Sequence, residues 1–368
     1  MEGANVYVQQ IEYVWPDGES PTMYLRSKTK VMRSKELITK VSEVPRWGHD
    51  GSSTYQGGTK SSDCGLQPIC LIPDPIRGEP NMITLCEVTR FPSWRPHPSN
   101  SRALLRRLAR KYRHLNPWFG MEQEFTLYDA DGIRPYRWPQ GAANPYPQGR
   151  YYCGVGADEV FGRPLIEVHT AACIKAGIMI SGTNAEVMPS QWEFQVGPLG
   201  PLEVSDQIWL ARWLLYRLGE DLGISVKLYP KPVKGWNGAG LHTNFSTSVM
   251  REKGGLVAIR SACKKLGHFH HQHMQDHVYG AGNQRRLTGL HETCDYREFS
   301  AGVGDRSASI RIPAAVAKDG QGYLEDRRPA ANMDPYRVSY AILATVCGDG
   351  FNPKVFKYFR TERGDRQM

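Results

Sequence analysis

Trp118-Phe119-Gly120-Met121-Glu122-Gln123-Glu124-Phe125-Thr126-Leu127 is the stretch whose reading decides the fold. Read as a strand, with period two, it sends Met121, Gln123, Phe125 and Leu127 to one face and Glu122, Glu124 and Thr126 to the other. A strand buried on both faces of a parallel sheet reads as a continuous Val/Ile run, so this alternation predicts antiparallel strands in an α+β chain. Two further stretches repeat the pattern. In Gln191-Trp192-Glu193-Phe194-Gln195-Val196, Glu193 stands with Gln191 and Gln195 opposite the apolar set. In Leu241-His242-Thr243-Asn244-Phe245-Ser246, which follows a glycine-rich Gly235-Trp236-Asn237-Gly238-Ala239-Gly240, one face carries His242, Asn244 and Ser246. Glu186 lies seven residues before Glu193 and returns to it if the chain turns at Pro189.

Alternating glutamates on one strand are ordinarily the wet side of a sheet. Three such segments whose polar faces converge are a different matter, because each unpaired buried ion costs several kcal/mol. Divalent cations answer that cost, and a donor set of carboxylates with one imidazole favours Mg²⁺ or Mn²⁺ over a thiolate zinc site. Arginines then recur downstream, at Arg285, Arg286, Arg306, Arg311, Arg327 and Arg328. Their planar donors match phosphate and carboxylate groups, although single arginines are commonly surface ion pairs. The cluster His268, His270, His271, His273 and His277 lacks the H-E-x-x-H arrangement of a zinc site and is expected to be a solvated or inter-subunit helix face. Cys294 beside Asp295 makes no nucleophilic constellation, since such partners are rarely adjacent in sequence.

Outward from these strands, the chain of 368 residues is longer than the roughly 100–200 residues typical of one domain. Short alternating runs at Val6 to Val14, Met23 to Leu25 and Met82 to Val88 predict a small sheet domain over 1–99. The proline-rich Phe91 to Pro98 closes it, and a larger domain spans 100–368. Helices are expected around Arg102 to Arg113 with Asn100 or Ser101 as cap, Pro164 to Ala176, Ser205 to Leu222 and Gly255 to Val278. No P-loop and no G-x-G-x-x-G follows a strand, so a nucleotide would be held by other means.

The formal charge of +9 fits phosphorylated and carboxylated substrates. It does not by itself imply nucleic acid, for which no readout motif appears. The basic run from Arg102 to Arg113 is read as the solvated face of an amphipathic helix. The eight cysteines contain no C-x-x-C pair, which suits a reducing cytosol. No apolar run approaches the roughly 18 residues of a membrane span, and the first residues do not resemble a signal peptide, so a cytoplasmic protein is expected.

Taken in order, Trp118 to Leu127, Ser181 to Pro198 (SGTNAEVMPSQWEFQVGP), Trp236 to Ser246 (WNGAGLHTNFS), Arg286 to Thr293, Arg306 to Pro313 and Glu325 to Pro335 (EDRRPAANMDP), together with Asp50-Gly51-Ser52-Ser53-Thr54, resemble glutamine synthetase of the eukaryotic-type class over essentially the whole chain. The resemblance implies a small N-terminal β-grasp domain and a large catalytic domain of antiparallel strands and helices. Two stacked five-membered rings would place each active site between subunits. It also implies two to three Mg²⁺ or Mn²⁺ ions per site, one held by Glu124, Glu186 and Glu193 and another by Glu122, His242 and Glu325. ATP would be met by Glu122, Glu193, Phe194, Gln195, Val196, Gly197, Pro198, Asn244, Phe245, Ser246, Arg306, Arg311 and Tyr323. Glutamate would be met by Trp236, Asn237, Gly238, Arg286, Arg306 and Arg327.

The implied reaction joins ammonium to the γ-carboxylate of glutamate through γ-glutamyl phosphate, with Arg306 stabilising developing charge. Asp50 of a neighbouring subunit would be the base, and Glu292 would lie on a closing flap. The chain departs from the family pattern at Pro16, at His49, where an aromatic is general, and at Ala314, where arginine is frequent. No counterpart of the adenylylation segment of the long bacterial class is present. A paralogous glutamate–amine ligase and a catalytically silent ring protein are the alternatives. Retention of Asp50, Glu292 and all six metal positions speaks against both.

Overall fold

The computed structural model describes residues 6–58, 60–138, 149–348 and 350–356. Its first part is a sheet of seven strands: β1 (Tyr7–Pro16), β2 (Leu25–Ser34), β3 (Trp47–Asp50), β4 (Asp63–Pro68), β5 (Ile72–Pro73), β6 (Met82–Arg90) and β7 (Arg95–Pro96). They run in the order β2-β1-β6-β4-β3, with β5 and β7 also on β6. The β1–β6 pair is parallel and its neighbours antiparallel. Alternation along β1 divides its apolar residues between two cores. Ile11, Tyr13 and Trp15 pack with Leu66 and Val88, while Val14 joins Ile83 and Leu85 in the main core of the molecule. The strand expected at Met23 to Leu25 begins only at Leu25, because Asp17 Oδ1 accepts the Tyr24 N–H at 2.9 Å and holds that segment in the turn.

The second sheet is built on the long strand β8 (Trp118–Asp129). Around it lie β9 (Ile180–Ala185), β10 (Gln191–Leu199), β11 (Ile224–Lys227), β12 (Leu241–Ser246), β13 (Ala301–Val303), β14 (Ile310–Ile312) and β15 (Leu324–Asp326). The order is β13-β14-β15-β12-β8-β10-β9, with β11 also on β8; all pairs but β13–β14 are antiparallel. Helix α1 (Ser101–Tyr112) packs on other helices, while α2 (Arg163–Lys175) and α3 (Pro201–Leu222) lie against the sheet. Next in chain order come α4 (Ser248–Arg251), α5 (Leu256–His268), α6 (His270–His273), α7 (Asp276–Tyr279), α8 (Ala314–Asp319) and α9 (Pro335–Cys347), of which α9 packs on α1, α3 and α5. The α+β class expected from the alternation of β8 is the one observed. Gln123, on the apolar face of β8, is fully buried and accepts from Arg212 Nε at 2.8 Å, while Arg212 also donates to the carbonyls of Met333 and Ala331. A guanidinium is thus satisfied by neutral acceptors beneath the sheet.

The single helix expected over Gly255 to Val278 is three. It breaks at Phe269, and the reason lies in the histidines. His270 and His273 are buried, with Nδ1 atoms 3.3 and 3.2 Å from the guanidinium of Arg328, itself paired with Asp326 at 2.7 Å. Burial, then the Arg328 charge, lowers both imidazole pKa values, so the rings are neutral acceptors. The solvated-face reading therefore fails for these two residues.

Helix α1 begins where Asn100 Oδ1 accepts the Ala103 N–H at 3.0 Å. Its basic run is not one solvated face either. Arg102 turns inward to Asp206 and Glu87, both contacts at 2.8 Å, and Arg106 also pairs with Glu87; Arg107, Arg110, Lys111 and Arg113 are exposed. Glu87 lies on β6 and Asp206 on α3, so Arg102 ties the small sheet to the large half. Removing one partner of such a buried pair strands the other charge. Arg102→Ala is expected to destabilise by about 3–5 kcal/mol. Arg102→Leu combined with Asp206→Leu should cost less than the sum of the single changes, as denaturant unfolding of the three variants would measure.

Candidate active site

Strand register assembles the polar face. Glu124 of β8 is paired with Glu193 of β10, and Glu122 with both Gln195 of β10 and His242 of β12. Asn244 of β12 faces Glu325 of β15, which faces Arg311 of β14. On the far side Glu193 pairs with Asn184 of β9, and Glu186 follows just beyond that strand. A turn through Met188 to Gln191 brings Glu186 back, with Ser190 at φ 64° and the Glu186 N–H bonded to the Gln191 carbonyl at 2.8 Å. Six ligand-type side chains from five segments thus line one cavity of about 450 Å³.

Their electrostatics are those of a site built for cations. Glu124, Glu186 and Glu193 are held well above the ordinary carboxylate range, first by burial and then by one another: Glu186 acts on Glu124, Glu193 on Glu186, and Glu122 and Glu124 on Glu193. Burial, then Arg327, pushes His242 far below its usual range, leaving a neutral imidazole. Its Nδ1 lies 3.5 Å from Glu122 and 3.7 Å from Glu325, beyond good hydrogen-bond distance. Ligand atoms of Glu122, His242 and Glu325 lie within 4.8 Å of one another, and so do those of Glu124, Glu193 and His242. The first trio is the one expected. In the second, His242 stands where Glu186 was expected, while Glu186 lines the same cavity and binds Asn184 Nδ2 at 2.9 Å. Hard oxygen donors with one neutral imidazole fit Mg²⁺ or Mn²⁺.

The cavity's other wall is cationic. Arg327 and Arg311 grip Glu325 at 2.7 and 2.8 Å, whereas Arg306, on an exposed loop, reaches the cavity without a carboxylate partner among the described residues. Arg286 is buried, with Nη2 held by the carbonyls of Arg327, Arg328 and Pro329 at 2.8–3.0 Å. A Cβ at Gly238 would stand 2.4 Å from Arg286 Cγ, and one at Gly240 would stand 2.9 Å from its Nη1, so both glycines are what lets the guanidinium approach. Gly240 also donates its N–H to Glu124. Asn237 and Gly238 line the cavity; the Trp236 ring instead packs on Trp138 and Tyr151 behind it.

A second cavity, of about 410 Å³, shares Glu122 and Gln195 with the first and continues from it. Val196, Gly197, Pro198, Asn244, Phe245, Ser246 and Tyr323 line it; Phe194 does not, being a core residue 5.9 Å from Phe125. Trp118 and Arg251 also line it, Arg251 lying 4.0 Å above the indole. Neither was foreseen: Trp118 is the strand's first residue, and Arg251 sits on the four-residue α4, with no pattern to flag it. Asn184 was likewise missed, although it alternates with Glu186 at i−2.

Glu292 lines the first cavity from a tight loop in which His291 and Glu292 both take positive φ, 54° and 58°. Such backbone in non-glycine residues is held only by its surroundings, here the Thr293 hydroxyl bonded to Leu290 at 2.8 Å and Arg327 donating to the Glu292 carbonyl at 3.3 Å. Asp50 does not line this chain's cavity. It is exposed at the end of β3, its carboxylate held low by Ser52 and Ser53. Beside it, His49 is a neutral aromatic plate 4.8 Å from Trp15, bonded to Gln56 at 3.1 Å. Ala314 opens α8 and lines neither cavity.

Residues 98–267 match the family described as glutamine synthetase, catalytic domain. Glutamine synthetase of Streptomyces viridochromogenes is 54% identical over 91% of this chain and 96% of its own length. The chloroplastic enzyme of Chlamydomonas reinhardtii is 50% identical over 92% and 91%, and the human one 47% over 95% and 92%. Among solved structures, Plasmodium falciparum glutamine synthetase superposes with a TM-score of 0.73 at 17% identity, over 92% of this chain and 72% of that one. A chain solved as the GmaS/ADP complex gives 0.70 at 18%, over 91% and 77%. With half its residues shared with such relatives along nearly their whole length, the chain belongs to the glutamine synthetase family.

Proposed function

We propose that this glutamate–ammonia ligase works by transferring the γ-phosphoryl group of ATP to the γ-carboxylate of glutamate and then displacing it with ammonia. The observation that carries the reading is the set of four carboxylates and one imidazole brought together by strand register, with Glu186 turned in beside them, where two cavities meet. The apolar second cavity suits the adenine and ribose, with the phosphates pointing past Glu122 and Gln195 into the first. Glutamate then lies between Asn237, Gly238, Arg286 and Arg327. A carboxylate oxygen bonds to the γ-phosphorus as the bond to the β-phosphate oxygen breaks, giving ADP and an acyl phosphate. Ammonia adds to the acyl carbon and expels phosphate. Glu122, His242 and Glu325 would hold one divalent cation and Glu124 and Glu193, backed by Glu186, another; bound there, the cations offset phosphoryl charge.

The chain's own residues do the rest. Arg306, unpaired with any described carboxylate, meets the transferring phosphoryl group. Glu292 closes the cavity and keeps water from the acyl phosphate. Asp50, a carboxylate held low by Ser52 and Ser53, attracts ammonium by its charge and accepts a proton as the amine adds. Because it lies outside its own chain's cavity, it serves a neighbouring subunit's site, which accords with an assembly of stacked rings. Eight free cysteines support a cytosolic setting, and among the described residues no helix is long and apolar enough to cross a membrane.

Purified protein given ATP, Mg²⁺ and glutamate should form glutamine and ADP only with ammonium. A panel of small amines should be poor acceptors, and chelation should abolish the reaction reversibly. An amine preferred over ammonium would replace this reading with an amine ligase. Glu193→Gln removes a carboxylate whose ionised form burial and its neighbours penalise, so the metal-free variant should melt about 2 °C or more above wild type and lose the stabilisation that Mn²⁺ confers on wild type, as thermal scans would read. Mixed assemblies of two inactive variants, Asp50→Ala and Glu193→Gln, should regain about a quarter of wild-type activity if sites are shared across subunits; no recovery would place Asp50 elsewhere in the mechanism.

A further inference from the structure

A third cavity, of about 600 Å³, lies between the β1–β2 turn and the catalytic half, apart from both cavities above. Three tyrosines, Tyr24, Tyr216 and Tyr229, give it flat apolar walls, and Lys227, Lys231 and Arg285 line it as cations. No acidic side chain lines it, and among the described residues none of the three cations has a carboxylate partner. Burial, then the charge of Arg286, lowers the Lys231 pKa, as expected of an ammonium left without a counterion. Its size falls within the roughly 300–1,000 Å³ of small-molecule sites.

Two of its cations belong to segments that continue into the active cavity. Lys231 donates to the carbonyl of Trp236, at the head of the turn that presents Asn237 and Gly238, and the Pro230 carbonyl accepts the Ala239 N–H at 2.9 Å in the same turn. Arg285 ends the short 3-10 turn Asn283–Arg285, and the next residue is the buried Arg286 of the active cavity. Across the cavity, Asn332 holds both Thr22 of the β1–β2 turn, at 3.2 Å, and Ala281, at 3.2 Å.

We propose that this cleft is an effector site for a small organic anion bearing a flat apolar group, phosphate or carboxylate at the cations and ring against the tyrosines. Its occupation weakens glutamate binding by drawing Lys231 from the Trp236 carbonyl and loosening the turn. The coupling rests on the placement of glutamate given above; the binding does not.

The test is calorimetric titration of the assembled, Mg²⁺ADP-saturated protein with phenyl phosphate, followed by titration with glutamate in its presence and absence. Saturable binding of phenyl phosphate is expected, about tenfold tighter than inorganic phosphate or phenol alone. Arg285→Ala should weaken it about tenfold through loss of a charge-assisted contact, and Arg285→Lys should restore part of it. Wild type should bind glutamate at least about twofold more weakly when phenyl phosphate is present, an effect that Arg285→Ala removes. Absence of saturable binding, or binding indifferent to Arg285→Ala, overturns the site. Binding that leaves glutamate affinity unchanged overturns the effector role. Failure of glutamate to bind even without phenyl phosphate would instead count against the functional reading.

Discussion

Glu122, Glu124, Glu193 and Glu325 project from neighbouring strands onto one face of a sheet, with Glu186 brought in beside them by a turn. Their mutual repulsion is what the surrounding structure has to balance. Each neighbour can be understood as a partial answer. Arg311 and Arg327 neutralise Glu325, the Gly240 N–H and Arg286 face Glu124, and Asn184 and Gln195 donate to Glu186 and Glu193. None of these cancels the charge, and three carboxylates remain far above their ordinary range. A site left short of positive charge is one that takes up cations and, with them, phosphates.

Holding like charges together requires a stiff support, and the structure supplies it from beneath. Gln123, between Glu122 and Glu124 in the chain, is locked from the opposite face by Arg212, which also ties down the carbonyls of Ala331 and Met333. Asp326, next to Glu325, is locked by Arg328 and the Tyr279 hydroxyl, with His270 and His273 completing the guanidinium's partners. Strands β8 and β15 thus each carry, next door in sequence to a ligand-type glutamate, a buried polar residue fixed on the far side. Such networks specify one arrangement because a half-satisfied alternative is costly.

The α+β class, the alternating strands and the polar faces of β8, β10 and β12 were legible because a period of two is written directly into side-chain order. The trio Glu122, His242 and Glu325 came only through resemblance, since the register of β8 against β12 and of β12 against β15 is a long-range property. What stayed hidden had physical causes. Arg102 and Arg106 read as surface charge because their partners, Glu87 and Asp206, lie on other elements. His270 and His273 looked solvated because nothing local announces a buried arginine at position 328. Phe194 and Trp236 lie in segments that touch the site, yet their rings face the core or other aromatics; the backbone and neighbours of a motif can meet a ligand where its largest side chain does not.

Strand β8, twelve residues long, carries Glu122 and Glu124 on one face and Met121, Gln123, Phe125 and Leu127 in the core on the other. One residue inserted or lost inside it would exchange the faces beyond that point, placing glutamates in the apolar core and apolar groups in the cavity. No compensating shift is open to it, because β10, β11 and β12 are all paired to it at once. Descent within this family can therefore change the length of the connections around β8 freely, while within the strand it can proceed only by substitution.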